Sequence, residues 1–249
     1  MADAASNPLN QPMDIQELAI TLSAQNLNPT MLTLDNLRSL GVIPADWELA
    51  KQPVLNQLQA RLNFKNGVNI VAQQRSITFA EPLNNQNQQQ DFKCANLAKT
   101  FMSKFAQAGY QTVSIAPKTI VSFGNEQEAN PREFIVQKLI AQGPWQEVGN
   151  GVPQASVNFV YQLQNCQLNL SLNEVRLRAQ NEPNQSVPAL LFSGSFNYRS
   201  QQEGANAASQ LQAQIDRWSE NLETFREIVH QKFLGKTEGG IFPAQVMQN

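Results

Sequence analysis

The sequence repeats a strand pattern at a fixed spacing, and this repeat limits the possible folds more than any other feature. Trp47 and Trp145 each follow a proline-marked bend and lie 98 positions apart. After each tryptophan, apolar and polar residues alternate, which is typical of a half-buried strand. The apolar positions are Leu58, Ala60, Leu62 and Phe64 in the first copy and Val157, Phe159, Tyr161 and Leu163 in the second, at an offset of 99.

The turn after each strand accounts for a change in this offset. The first copy turns at Lys65-Asn66-Gly67, where Asn-Gly suits a tight hairpin, and the second turns at Gln164-Asn165, one residue shorter. Beyond the turn the offset is 98, with Val68, Ile70, Ala72, Ile77 and Phe79 matching Cys166, Leu168, Leu170, Val175 and Leu177. A slip of one residue inside a strand would turn its apolar face outward, so a deletion within the turn favours duplication. Two unrelated hairpins remain the alternative.

The flanking segments complete a strand–helix–three-strand–helix unit. We expect short helices at 33–40 and 131–141, a helix at 91–108 that ends at Gly109, and a longer helix at 205–234. The predicted fold class is therefore α+β. It consists of two diverged tandem copies of the unit, with a largely antiparallel sheet covered by helices and a long C-terminal helix.

The repeat also predicts the organisation of the chain. The predicted segments are a flexible leader at 1–14, copy one at 15–109, copy two at 110–234 and a flexible tail at 235–249. The copies differ where copy one has a polar loop at 84–90 and copy two has a loop at 182–188 followed by an extra strand at 188–198.

The closing helix carries a regular apolar seam. Its members are Leu211, Ile215, Trp218, Leu222, Phe225 and Val229, spaced alternately by four and three residues. This spacing suits a helix that lies across the sheet, and it also suits a coiled-coil pair. In the second case Leu211, Trp218, Leu222 and Phe225 would form the interface of a homodimer.

Composition excludes several classes of function. Gln and Asn make up 58 of the 249 residues, whereas charged residues make up 15% and the net charge is −2. Amides create no long-range field, so we expect no nucleic-acid partner and no attraction to an anionic membrane. No window approaches the length of an apolar membrane span, and the first residues show no secretory signal. We expect a cytoplasmic protein.

The sequence contains no recognisable catalytic signature. Two cysteines, Cys94 and Cys166, and one histidine, His230, do not supply the four ligands of a usual zinc site. Motifs for nucleophilic catalysis, metalloproteases, phosphate loops and dinucleotides are absent. We therefore predict no catalytic residue, no metal and no cofactor. His230 is expected to be a surface or helix-capping residue.

Four residues are candidates for contact with a ligand or partner. Arg176 and Arg178 alternate with apolar residues beside Glu174, which is typical of a solvated sheet face but also suits the binding of an anionic group. Trp47 and Trp145 are expected to cover the ends of a sheet, and the alternative is a matched pair of partner contacts.

Three segments resemble a group of uncharacterised bacterial proteins of about 250 residues with this two-copy arrangement. They are the Gly143-Pro144-Trp145-Gln146-Glu147 bend, the Phe192-Ser193-Gly194-Ser195-Phe196 strand and the end of the closing helix from Leu222 to Phe233. The amide-rich composition resembles that of cyanobacterial proteins. The resemblance covers residues 17–234 and implies no activity and no site residue.

These observations favour a non-catalytic cytoplasmic protein that binds other proteins, as an adaptor or in assembly, through sheet edges, the last helix or both. The alternative is an enzyme or small-molecule-binding protein with its site at the junction of the two copies.

Overall fold

The computed structural model of the chain describes residues 15–83, 92–122, 130–179, 182–202 and 204–235. Its nine strands form one open sheet in which all neighbours are antiparallel. The strands are β1 (Ile15–Ala24), β2 (Val54–Leu55), β3 (Gln59–Asn63), β4 (Asn69–Gln73), β5 (Ser76–Glu81), β6 (Tyr110–Ser122), β7 (Ser156–Gln162), β8 (Gln167–Ala179) and β9 (Glu182–Arg199). Their order is β2-β3-β4-β5-β1-β6-β9-β8-β7, so β2 and β7 are the edges.

The helices of the described residues are short. They are α1 (Leu34–Ser39), α2 (Lys93–Lys104), α3 (Pro131–Phe134), α4 (Gly204–Ile215) and α5 (Trp218–Glu227). The α3 helix continues as a π-helical segment, Ile135–Leu139, and α5 continues as another, Ile228–Phe233. No helix among the described residues is long and apolar enough to cross a membrane.

The predicted fold class is wrong. The strands do not form two α+β units that are each covered by helices, because they all belong to one large antiparallel sheet that carries few and short helices. The sheet is continuous through the middle of the chain, where β1 pairs with β6 and Ile20 lies opposite Ile115. Direct pairing satisfies the backbone donors and acceptors of both strands at once. Apolar periodicity identifies the buried side of a strand, but it does not identify the neighbouring strand.

The order of the strands is the same on both sides of the central pair. Outward from the centre, β1 is followed by β5, β4 and β3, and β6 is followed by β9, β8 and β7. The division into copies at 15–109 and 110–234 stays a prediction. The predicted leader at 1–14, the polar loop at 84–90 and the tail beyond residue 235 lie outside the described residues.

The predicted hairpin turn of the first half is confirmed. Gly67 takes a positive φ of 90°, and its N–H donates to the carbonyl of Phe64 at 3.1 Å. The side chain of Asn66 accepts from the N–H of Val68, which satisfies a further donor of the turn. In contrast, the predicted loop at 182–188 is wrong. Strand β9 begins at Glu182, and Leu177 of β8 lies opposite Val187.

The predicted long C-terminal helix is also wrong, because two turn residues, Asp216 and Arg217, separate α4 from α5. Asn221 in the first turn of α5 donates to the carbonyl of Arg217 and accepts from the hydroxyl of Tyr198 on β9 at 2.7 Å. This contact fixes α5 to the sheet beside the break. Because a sheet twists, two short helices follow its surface better than one straight helix of the same length.

One face of the sheet carries the core. A single row of apolar side chains crosses eight strands at facing positions, Leu62, Ile70, Phe79, Ile20, Ile115, Phe196, Leu168 and Tyr161. Helices α2, α4 and α5 pack against the central strands on this face. The protein is therefore a two-layer structure with its core between the helices and one face of the sheet.

The opposite face of the sheet is polar but carries little charge. The adjacent row across the same strands is Arg61, Val71, Thr78, Thr21, Ser114, Asn197, Gln167 and Gln162. None of these eight side chains is buried. Thr21 and Thr78 share a hydroxyl–hydroxyl hydrogen bond of 2.8 Å. Small hydroxyl and amide side chains thus satisfy one another across this face.

Candidate functional site

The two repeated tryptophans have different environments. Trp47 is half-buried, and its ring packs edge-on against Phe64 with a centroid distance of 5.2 Å. The carbonyl of Trp47 also accepts a hydrogen bond from Arg38. Trp145 lies in a 3-10 turn, Pro144–Glu147, and 39% of its surface is exposed. Trp47 therefore covers the apolar face near β3, whereas Trp145 offers an exposed aromatic ring.

Glu174 and Arg176 of β8 have different partners. Glu174 is nearly buried and accepts two hydrogen bonds from Arg132 of α3, at 2.9 and 3.2 Å. The Glu174 carboxylate raises the pKa of Arg132 by hydrogen bonding. Arg176 is exposed and donates to the hydroxyl of Ser186, while the side chain of Arg178 lies outside the described residues. The acid of the predicted group thus serves to fix α3 to the sheet.

The seam of the last helices faces the sheet. Leu211, Leu222 and Phe225 are each at most 1% exposed, and Trp218 is half-buried against Phe92 at a ring distance of 4.8 Å. This placement agrees with the alternative in which the segment packs across the sheet. Of the side chains predicted as a dimer interface, Leu211, Leu222 and Phe225 are therefore buried in the chain's own core, whereas Trp218 is only partly covered.

The titratable groups of the described residues do not form a catalytic arrangement. Burial raises the pKa of the Cys94 and Cys166 thiols, so neither is a ready nucleophile at neutral pH. No cluster of metal-ligating side chains occurs within the described ranges. His230 lies near the end of the last helical segment and lines a shallow depression with Glu223 and Glu227. The expected surface position of His230 agrees with its partial exposure.

A cavity of about 400 Å³ lies where β1, β6 and β9 end together. It includes Gly109 and Tyr110, the residues at the predicted junction between the two halves. Its lining residues are Gln25, Gly109, Tyr110, Gln111, Arg199, Ser200, Gln201 and Gln202. Burial raises the pKa of Tyr110, which keeps the phenol neutral. With one cation and several neutral amides, the cavity offers polar contacts but no pair of groups for acid–base catalysis.

The two edges of the sheet differ more than any other pair of equivalent regions. At the first edge β2 pairs with only part of β3, and Leu49 forms a bridge with Phe64, so the edge is interrupted and partly covered. The exposed Arg61 also places a charge on β3. At the second edge, no described strand pairs with the outer side of β7. Of the two edges that the described residues form, the second consists of one uninterrupted strand.

The backbone of β7 presents alternate residues outward. The N–H of Leu163 donates to the carbonyl of Cys166 across the β7–β8 turn at 2.9 Å, so residue 163 faces β8. Backbone groups in an antiparallel strand alternate between its two sides. The N–H and C=O groups of the even-numbered residues therefore point away from the sheet. These residues are Ser156, Asn158, Val160 and Gln162.

Several apolar side chains on β7 and in the segments next to it in sequence are exposed. Val160 on β7 is 61% exposed, and Val148 in the preceding segment is 76% exposed. Trp145 and Leu163 add further apolar surface at 39% and 36% exposure. The strand from Ser156 to Gln162 contains no charged residue and no proline, the devices that usually protect an edge from pairing.

The inner side of β7 is held by aromatic contacts. Phe159 packs edge-on against Phe233 at 5.3 Å and lies 5.9 Å from Tyr161, measured between ring centroids. Phe233 also contacts Phe192 of β9. The end of the last helical segment thus packs against the edge strand from the core side.

The alternating pattern predicts β7 as a strand but does not show that it lies at an edge of the sheet. The residues missed are Asn158 and Val160, which point away from the core, and Val148. A signal was present, because residues 156–162 combine high strand propensity with no charge. Whether a strand is central or at an edge depends on the sheet order, which this signal does not give.

No known protein-family model matches the chain, and no curated protein matches it.

Proposed function

We propose that this chain is a non-catalytic cytoplasmic protein that binds another polypeptide by strand addition at the outer side of β7. The observation that carries the proposal is an outermost strand of seven residues with no charge, no proline and no described neighbour on its outer side. In strand addition the main chain supplies the affinity, and pockets for alternate side chains supply specificity. Such a protein serves as an adaptor or takes part in assembly.

The difference between the two edges supports this proposal. Sheet edges are normally blunted because a free strand invites aggregation. The first edge is interrupted by β2 and carries Arg61, whereas β7 has neither device. An uninterrupted outer strand that carries no charge and presents the exposed Val160 is expected of a binding surface.

The alternative, a small-molecule site at the junction, has less support. The eight residues that line the cavity near Arg199 include four neutral glutamines and one cation, and Arg176 is not among them. Ligand sites usually combine an apolar lining with a few placed polar groups.

A strand-shaped probe tests the proposal. The probe is a short fluorescein-labelled peptide of alternating valine and threonine with a lysine at each end, and its binding is followed by fluorescence anisotropy. We expect saturable binding to the native chain. Val160→Lys places a charge on the edge and should weaken binding by about tenfold or more.

The matched control is Leu58→Lys. Leu58 is 72% exposed near the opposite edge, so this variant makes the same chemical change away from β7. Peptide binding should remain native in Leu58→Lys, and both variants should keep the native melting temperature. Equal binding by the native chain and Val160→Lys would contradict strand addition at β7.

A further inference from the structure

Strand β7 is complementary to itself. Its core-side residues Val157, Phe159 and Tyr161 are apolar, and its remaining residues are neutral. Two copies in antiparallel orientation bring the apolar side chains together on one side and the neutral side chains together on the other. No like charges meet in this arrangement, because the strand carries none.

The outward backbone groups restrict the register. Hydrogen-bonded pairs form only where an outward residue lies opposite another outward residue. With Phe159 at the centre, Asn158 lies opposite Val160 of the second copy and Ser156 lies opposite Gln162. This register leaves no outward N–H or C=O of β7 unpaired, whereas a shift by two residues leaves the ends of the strand without partners.

Resting on the proposed function, we propose that the polypeptide bound at β7 is β7 of a second copy of this chain. The two strands pair antiparallel about a twofold axis, with Phe159 opposite its own symmetry mate. The pairing joins two nine-stranded sheets into one continuous sheet. An isologous contact of this kind closes on itself, so the product is a dimer and not a fibre.

The absence of charge on β7 favours a second copy over an unrelated protein. Interfaces between different proteins gain specificity and association rate from complementary charges. Strand β7 has no charge to offer, and its exposed side chains are all neutral, namely Ser156, Asn158, Val160 and Gln162. Self-pairing needs no such charges, because the register alone fixes the geometry.

The length of β7 sets the expected affinity of the dimer. Seven residues extend over roughly 24 Å, so the contact is at the small end of specific interfaces. We therefore expect a dimer that dissociates on dilution, with a dissociation constant on the order of micromolar.

Cysteine cross-linking tests both the contact and its register. Asn158→Cys and Val160→Cys are made separately in a Cys166→Ser background, since Cys94 is buried. Both new positions are exposed, so neither change removes core packing. Facing residues of a hydrogen-bonded pair lie about 5.5 Å apart between Cα atoms, within the range that a disulfide spans. The full-length variants are oxidised alone and as an equal mixture.

The proposed register predicts a disulfide-linked heterodimer in the mixture, at least about fivefold more abundant than the homodimer of either variant alone. A linked homodimer of Asn158→Cys or of Val160→Cys as the main product would overturn the register. No linked product at protein concentrations up to about ten times the expected dissociation constant would overturn self-pairing. In that case saturable binding of the strand-shaped probe would still support the proposed function. Absence of both the linked product and the probe binding would contradict the proposed function as well.

Discussion

At the scale of single residues, the feature least predictable from the sequence is the capping of α2 by the carboxylate of Glu81. This side chain is 6% exposed and lies at the end of β5, where it accepts hydrogen bonds from the N–H groups of Lys93 and Cys94 in the first turn of α2. The residue before the helix, Phe92, supplies no side-chain cap. A carboxylate at this position satisfies two free donors and interacts favourably with the helix dipole.

We expect Glu81→Gln to lower the free energy of unfolding by about 1 to 3 kcal/mol, because the neutral amide accepts these bonds less well and is nearly buried. Urea denaturation followed by circular dichroism measures the loss. Glu48→Gln is the control, since it removes one charge from an exposed ion pair with Lys65. The control should show no measurable change in the urea midpoint. Equal effects of the two variants would mean that Glu81 does not cap α2.

At the scale of elements, the approach of α5 to the sheet depends on a glycine in β9. A Cβ atom at Gly194 would lie 2.8 Å from the ring of Phe225 and 3.4 Å from Pro117. Phe225 is fully buried, so the ring has little room to move. The lack of a side chain at residue 194 therefore allows α5 to pack closely over β6 and β9.

Gly194→Ala should lower the free energy of unfolding by about 1 to 3 kcal/mol through overpacking. Ser193→Ala, one position away on the polar face, is the control and should cost less than half of this. The double variant Gly194→Ala/Phe225→Leu should recover part of the loss, because leucine is smaller than the ring that the new methyl group meets. If the losses of stability from Gly194→Ala and Phe225→Leu simply add in the double variant, as measured by thermal unfolding, a direct contact between residues 194 and 225 is contradicted.

The sequence predicted local elements better than their assembly. The Asn66-Gly67 turn, the short helix within 33–40 and the helix over most of 91–108 follow from local chemistry and are present, and Thr33 caps the short helix by accepting from the N–H of Asn36. Heptad spacing predicted one long helix, but the tertiary contact between Asn221 and Tyr198 accompanies a break before α5. Local sequence patterns do not predict contacts between residues so far apart in sequence.

At the scale of the whole molecule, the pairing of β1 with β6 decides which strands become edges. Because these two strands pair at the centre, the third strand of the second half, β8, is interior and β7 is outermost. The alternation of Val157, Phe159 and Tyr161 predicted a half-buried strand correctly. It could not show that the other side of that strand lacks a neighbour, because sheet order arises from long-range pairing. The sequence therefore predicts that residues 156–162 form a strand, but it does not predict that this strand is the candidate site.

Amide hydrogen exchange at β7, resolved by residue with NMR, shows whether the outer side of β7 is a free binding edge. The N–H of Phe159 faces β8, and the N–H of Val160 faces outward. In dilute protein we expect protection at Phe159 and fast exchange at Val160. Raising the protein concentration or adding the strand-shaped probe should protect Val160 by about tenfold or more while leaving Phe159 unchanged. Fast exchange at Val160 under every condition, or full protection in dilute protein, would contradict a free binding edge at β7.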